Sequence, residues 1–337
     1  MKKNRSSLII IVILVLISLY FVFFRNGFST LGQKDNDFAV QDTAAITKIF
    51  MADKDSRTIT LTRVKGGVWL VNGKYDARAD AISTLLYTIK MVAVKNIIDP
   101  NGVDNVIRTM ASGGVKVEIY EGDKRVKVYF VGGPTQDQTG TYMLLANPST
   151  EENVKQPYIV YIPGFDGYLT TRYFVKLDDW RDRTVFQYYP YAMRSVRVVY
   201  PAADSGFQIN ILGKNRFSLE KPSNQPVPVF DTIAVKQYLT YYQSVSWEVT
   251  VSTPKKDSIL NSGPAVIIDV KDTTGKATDI KLYNKKAPDN VITKYGHAYK
   301  YDPDQMYALI NDKDFVLVQY FVFGKMIQPI SYFTTKH

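Results

Sequence analysis

VKVEIYEGDKRVKVYF, residues 115–130, alternates apolar and polar side chains on both sides of a short turn. Val115, Val117 and Ile119 fall on one face, and Lys116, Glu118 and Tyr120 on the other. After the turn Glu121-Gly-Asp-Lys, the residues Val126, Val128 and Phe130 repeat the alternation. A period of two around a Gly-Asp turn predicts a half-buried antiparallel hairpin. The same pattern returns at residues 266–283, VIIDVKDTTGKATDIKLY.

Working outward from these hairpins, further blocks recur in the same order. ITKIFM at 46–51 matches SVRVVY at 195–200, and TITLT at 58–62 matches QINIL at 208–212. VWLV at 68–71 answers RFSL at 216–219, and DAISTLLYTI at 80–89 parallels DTIAVKQYLT at 231–240. Finally FQYYPY at 186–191 resembles VQYFVF at 318–323. The offset stays near about 150 residues and then shortens, an ordered self-similarity that marks a tandem duplication. The polar stretch 147–157 and the charged stretch 176–183, both extra in the first copy, account for the shortening. The copies are read as residues 38–193 and 194–337, with a connector near 176–183.

Each copy reads as strands, a helix and more strands, so the expected class is α+β, a mainly antiparallel sheet with one packed helix per copy. In the first helix Ile82, Leu85, Leu86, Ile89 and Val92 share a face, with Asp80 as the expected N-cap. In the second, Phe230, Ile233, Ala234, Tyr238, Tyr241, Tyr242 and Val245 share a face behind Asp231. Asp302-Pro303 at the head of a short apolar run predicts a further helix ending at Ile310.

Before the first copy, residues 7–24, SLIIIVILVLISLYFVFF, hold no charge, proline or glycine. As a helix this run reaches about 27 Å, close to the ~30 Å of a hydrocarbon core. It is therefore expected to cross a membrane once. Lys2, Lys3 and Arg5 precede it, which predicts a cytoplasmic N-terminus at 1–6, a tether at 25–37 and an ectodomain on the far side. The expected location is a bacterial inner membrane with a periplasmic C-terminal region and the lipid bilayer as a partner. A cleaved signal peptide ending near Gly27-Phe28-Ser29 is the competing reading; the length of the run and Arg25 behind it favour the uncleaved anchor.

The formal charge is +10, and four of the basic residues flank the apolar run. No dense basic stripe appears, so nucleic acid is not an expected partner. There is no cysteine, which excludes disulfides, thiolate metal sites and thiol nucleophiles. His297 falls in a predicted strand and His337 ends the chain, leaving no metal-ligand spacing and no Ser-His-Asp candidate of substance. Gly132-Gly133-Pro134-Thr135 lacks the Gly-Lys-Ser/Thr end of a phosphate loop and reads as a turn after Phe130. Gly66-Gly67 and Gly113-Gly114 read as turns at strand edges. No cofactor, metal or catalytic residue is expected.

KLDDWRDR at 176–183 is the densest charge cluster; it reads as a solvated connector in which Trp180 anchors one copy on the other. Catalysis by Asp178 with Asp179 or Asp182 is the weaker alternative, because one short helix does not set two carboxylates across a sugar ring. The chain holds 24 Tyr, 17 Phe and 3 Trp. Aromatic runs fill sheets by propensity, and where exposed they mark contact surfaces. The candidate partner surface is Trp180, Arg181, Arg183, Tyr188, Tyr189 and Tyr191.

Together with the apolar N-terminal run and the duplication, four stretches resemble a bacterial envelope family of unknown function. These are FAVQD at 38–42, ITKI at 46–49, VWLVN at 68–72 and the stretch from Trp180 to Phe186. Its members carry one N-terminal span and a repeated β-rich ectodomain, and related domains accompany auxiliary subunits of gliding-motility-type ABC transporters. The resemblance implies location, architecture and an envelope protein partner, and carries no functional residue. The expected function is thus a non-enzymatic, membrane-anchored interaction or accessory module for a transporter or secretion assembly. The alternatives are a module binding glycan, lipid or cell-wall polymer, and an enzyme with a site between the copies.

Overall fold

The computed structural model describes residues 36–334, apart from 151, 153–155, 289–290 and 293–297. The chain divides after Asp182 into two compact units, upstream of the Met193 boundary read from the repeat. Arg183 already belongs to the second unit, where its Nη1 donates to the Glu248 carbonyl at 3.0 Å.

The first unit runs β1 (Ile46–Asp53), β2 (Thr58–Arg63), β3 (Trp69–Val71), β4 (Tyr75–Asp76), α1 (Ala79–Met91), β5 (Ala93–Ile97) and α2 (Pro100–Gly113). It continues through β6 (Val115–Glu121), β7 (Lys124–Pro134), β8 (Thr141–Ala146), β9 (Tyr158–Tyr161) and α3 (Leu177–Trp180). Its strands form one sheet in the order β4-β3-β2-β1-β6-β7-β8-β9-β5. The 115–130 hairpin sits at its centre, with Val117 opposite Tyr129 and Glu118 opposite Val128. One face is packed by Ile82, Leu85 and Ile89 of α1, with Tyr129, Tyr173 and Trp180 in the same core. The other face carries α2, whose Val106 and Met110 pack with Leu144 and Phe130.

The second unit comprises β10 (Thr184–Phe186), β11 (Met193–Tyr200), β12 (Ala203–Gly213), β13 (Arg216–Glu220), α4 (Thr232–Thr240), β14 (Val245–Ser246) and β15 (Val249–Thr250). After these come α5 (Lys256–Asn261), β16 (Val266–Asp272), β17 (Ala277–Lys286), β18 (Tyr301–Ile310), β19 (Asp314–Gln319) and α6 (Tyr320–Phe323). The main sheet is ordered β13-β12-β11-β16-β17-β18-β19-β15, beside a β10-β14 pair. In both units a meander of the first strands joins a second meander through its first strand. Both helices are inserted between the meanders, and a short strand after the first helix closes the far edge. The large core lies on the α4 face, with Tyr238, Phe207 and Phe333 among its residues. On the other face Ile259 and Leu260 of α5 pack against Tyr283, Leu309 and Phe315.

These observations correct the expected class. The fold is β-rich with large antiparallel sheets, and each unit carries two principal helices, one on each sheet face, rather than one. Helix α2 begins with Pro100 behind Asp99, whose side chain accepts from the Asn101 amide at 2.9 Å. Residues 301–310 form strand β18, not a helix, because pairing on both sides, to β17 and β19, governs the run. Met306, Ala308 and Ile310 enter one core while Tyr307 and Leu309 pack on the other face, a period of two.

Strand β7 continues to Pro134 instead of turning after Phe130. A Cβ at Gly132 would lie 2.7 Å from Met110 Cγ, so glycine there admits the close approach of α2. Gly113 ends α2 and Gly114 caps it, whereas Gly66 and Gly67 do take left-handed turn conformations. Arg78, not Asp80, occupies the N-cap of α1, and Asp80 pairs with its guanidinium at 2.5 Å. Asp231 caps α4, accepting from Ile233 N at 2.7 Å and Ala234 N at 3.1 Å, but Ile233 itself points outward.

Residues 7–24, the tether up to residue 35, His297 and His337 lie outside the described residues. Among the described residues no helix is long and apolar enough to cross a membrane. The longest, α2, has 14 residues and carries Asn101, Asp104 and Arg108; it reaches only about 21 Å against a core of ~30 Å. The described residues therefore give no support to the expected transmembrane, single-pass, inner-membrane placement with a periplasmic C-terminal region, and the run that carried it lies outside them.

Candidate functional site

Of the aromatic and charged residues expected to form one partner surface, two are buried, two half-buried and two exposed. Trp180 is fully buried in the first unit, its Nε1 donating to the Phe174 carbonyl at 2.8 Å and its ring lying 4.3 Å from that of Phe174. It therefore fills the core of the first unit. Arg181 is buried too, with its guanidinium 4.0 Å from the Tyr75 ring centroid. Arg183 is half-buried against Glu248, and Tyr188 is half-buried on the second core. Tyr189 and Tyr191 are left in solvent, exposed by 79% and 51%.

Tyr191 lines a shallow groove of about 500 Å³ in the second unit, together with Met193, Ile211, Leu212, Gly213, Lys214 and Thr273. Three separate stretches build it. Pro190–Ala192 forms a 3-10 turn that presents Tyr191 immediately before β11. Thr273, in the turn after β16, donates its amide to the Ala192 carbonyl at 2.9 Å and fixes that turn against the sheet. The end of β12 supplies Leu212, which is 59% exposed.

The rim is cationic. Lys214 lines the groove, and the Arg216 guanidinium passes 3.4 Å from the position a Gly213 Cβ would take while donating to the Leu212 carbonyl at 3.4 Å. Arg194 and Lys276, next to Met193 and in the Thr273 turn, are exposed. The nearby acid, Asp272, is buried and spent on its own turn, accepting from the Thr274 hydroxyl at 2.7 Å and the Lys276 amide at 2.9 Å. The Thr274 hydroxyl bond is the largest cause holding its carboxyl below the usual range. An apolar floor beneath exposed cations suits an apolar side chain flanked by acids.

The other buried carboxylates are likewise held ionised. Burial opposes ionisation of Glu118, but Lys116 at 2.7 Å, the Tyr120 hydroxyl and Arg125 at 3.4 Å outweigh it and lower its pKa. Burial also opposes ionisation of Asp302, and Lys285 with the amides of Asp304 and Gln305 prevails. Neither is poised near neutrality as a general acid must be. Among the described residues no group of three or more His, Cys, Asp or Glu could hold a metal ion.

No protein-family model matches this chain, and comparisons with curated proteins and with solved structures return no match. The groove itself was not legible as a site, since its residues come from 191–193, 211–214 and 273. Only the exposed tyrosine run signalled part of it.

Proposed function

We propose that this protein is a non-enzymatic interaction module whose second unit binds an acidic segment of another protein, seating an apolar side chain between Tyr191 and Leu212. The carrying observation is the exposure of these two large apolar side chains in one groove under the cations Lys214 and Arg216. An accessory role in a larger protein assembly accords with such a surface, since aromatic and Arg anchors dominate interface energetics.

Selection from a displayed random-peptide library against the whole chain tests this. Enrichment of acidic residues around an apolar anchor is expected, with binding that weakens as salt rises. Leu212→Asp is expected to weaken the selected peptides by about tenfold or more, equivalent to ~1.4 kcal/mol. Absence of any such enrichment, or peptides that bind Leu212→Asp as well as the parent, would overturn the reading.

A further inference from the structure

A second concavity of the second unit is lined by a mixed polar network. It measures about 550 Å³ and is lined by Lys285, Asp302, Gln305, Gln319 and Phe321, among others. Neighbouring strands build its floor: Lys285 on β17, Asp302 and Gln305 on β18, and Gln319 at the end of β19. Lys285 Nζ donates to Asp302 Oδ2 and, at 2.9 Å, to Gln305 Oε1. Gln305 Nε2 in turn donates to Glu248 Oε2 at 2.8 Å. Asp302 Oδ1 accepts the amides of Asp304 at 2.9 Å and Gln305 at 3.0 Å, which locks the carboxylate in place.

The network leaves capacity for a ligand. An ammonium has three protons, and two are used; a carboxamide nitrogen has two, and one of them goes to Glu248. Lys285 is matched by Asp302, and Glu248 is engaged by the Gln305 amide, so donors and acceptors sit side by side in one bonded row. A free anion would meet Asp302, Asp304 and Glu248, and a free cation would meet Lys285. A neutral molecule carrying adjacent hydroxyls meets neither penalty, because each hydroxyl both donates and accepts.

At the rim Phe321 is 79% exposed, with Lys325 Nζ 5.0 Å from its ring centroid. A bare aromatic ring beside a fixed polar row offers stacking area at one edge and orienting bonds at the other. The geometry points to a saccharide subsite here: a pyranose ring stacks on Phe321 while a vicinal hydroxyl pair bridges Asp302, Lys285 and Gln305. This site shares no residue with the Tyr191 groove, so the two assignments stand or fall separately.

The test is NMR titration of the whole chain with maltotriose, cellotriose and N,N′,N″-triacetylchitotriose. At least one is expected to bind saturably in the micromolar-to-millimolar range and to shift amides of residues 302–305 and 319–321. Phe321→Ala, which removes an exposed ring and should leave the fold intact, is expected to weaken binding about tenfold, or ~1.4 kcal/mol. Gln305→Ala should weaken it about fivefold, and Leu212→Asp should leave it unchanged. No saturable shift from any of the three at about 20 mM, or full binding by Phe321→Ala, would overturn the assignment.

Discussion

The Tyr242 hydroxyl donates to the Tyr238 oxygen at 2.7 Å, with both rings fully buried in the second unit. The direction follows from proton counting. Tyr238 has one phenolic proton, and the Met326 carbonyl, which can only accept, takes it at 2.9 Å. Burial pushes both hydroxyls well above the usual tyrosine range, so they remain neutral donors. This relay ties α4 to the chain beyond α6, where Phe333 stands edge-on to Tyr238 at 5.2 Å.

Removing the two hydroxyls should therefore have unequal effects. Tyr238→Phe strips the Met326 carbonyl of this donor and leaves the Tyr242 proton without its acceptor, and is expected to cost about 2–3 kcal/mol. Tyr242→Phe leaves the Met326 bond in place and should cost only about 1 kcal/mol. Urea unfolding of the two variants measures the difference. Equal losses would show that the Tyr238 hydroxyl gains nothing from the Met326 carbonyl.

Trp180 and Tyr189 form a second contrast, one side chain sealed in a core and the other in water. Trp180→Ala is expected to destabilise the first unit by about 3–5 kcal/mol through the cavity it leaves. Tyr189→Ala should change stability by no more than about 0.5 kcal/mol. Thermal denaturation of both variants checks the pair, and a mild effect of Trp180→Ala would contradict its place in the core.

The contrast also shows what the sequence could and could not convey. The 115–130 hairpin was readable because its alternation and its Gly-Asp turn act locally, and the α1 face was readable because Ile82, Leu85 and Ile89 recur at helical spacing. Helix α2 carried a signal too, with Val103, Val106 and Met110 at helical spacing behind Asp99-Pro100, but nothing local showed the second sheet face that they cover. Asp302-Pro303 signalled a helix start, yet pairing to two neighbouring strands overrode that preference. Trp180 lay within a charged stretch that suggested solvent, and only tertiary packing buries it. The groove and the polar cleft gather residues far apart in the chain, so no local pattern could announce them.

Capping supplies a smaller, cleaner effect. Asp231 accepts from two amides at the start of α4, and its side chain is the one replaceable part of that cap. Asp231→Ala is expected to lower stability by about 1 kcal/mol, whereas Asp231→Ser should recover most of it. Chemical denaturation midpoints of the two variants decide between capping and mere tolerance at this position.

Asp269 and Asp279 face each other directly across β16 and β17, an unfavourable pairing of like charges. Burial is the main cause that raises the Asp279 pKa above its usual 3.8; Lys281 opposes it, and Asp269 and Asp312 add to it. A carboxyl whose folded pKa is raised contributes stability at pH values below the unfolded pKa, and that contribution is lost as pH rises through the folded value. Asp279→Asn removes the ionisation while keeping the shape, so the variant should be more stable than the parent at pH 7 by about 0.5 kcal/mol. The advantage should shrink as pH falls toward the usual carboxylate range, where Asp279 is protonated in the parent. Melting temperatures of both proteins across pH 3 to 8 test this (about half a unit per step suffices). A variant less stable at pH 7 would mean that the Lys281 pairing outweighs burial and Asp269, and an advantage that does not change with pH would mean that ionisation of Asp279 is not its source.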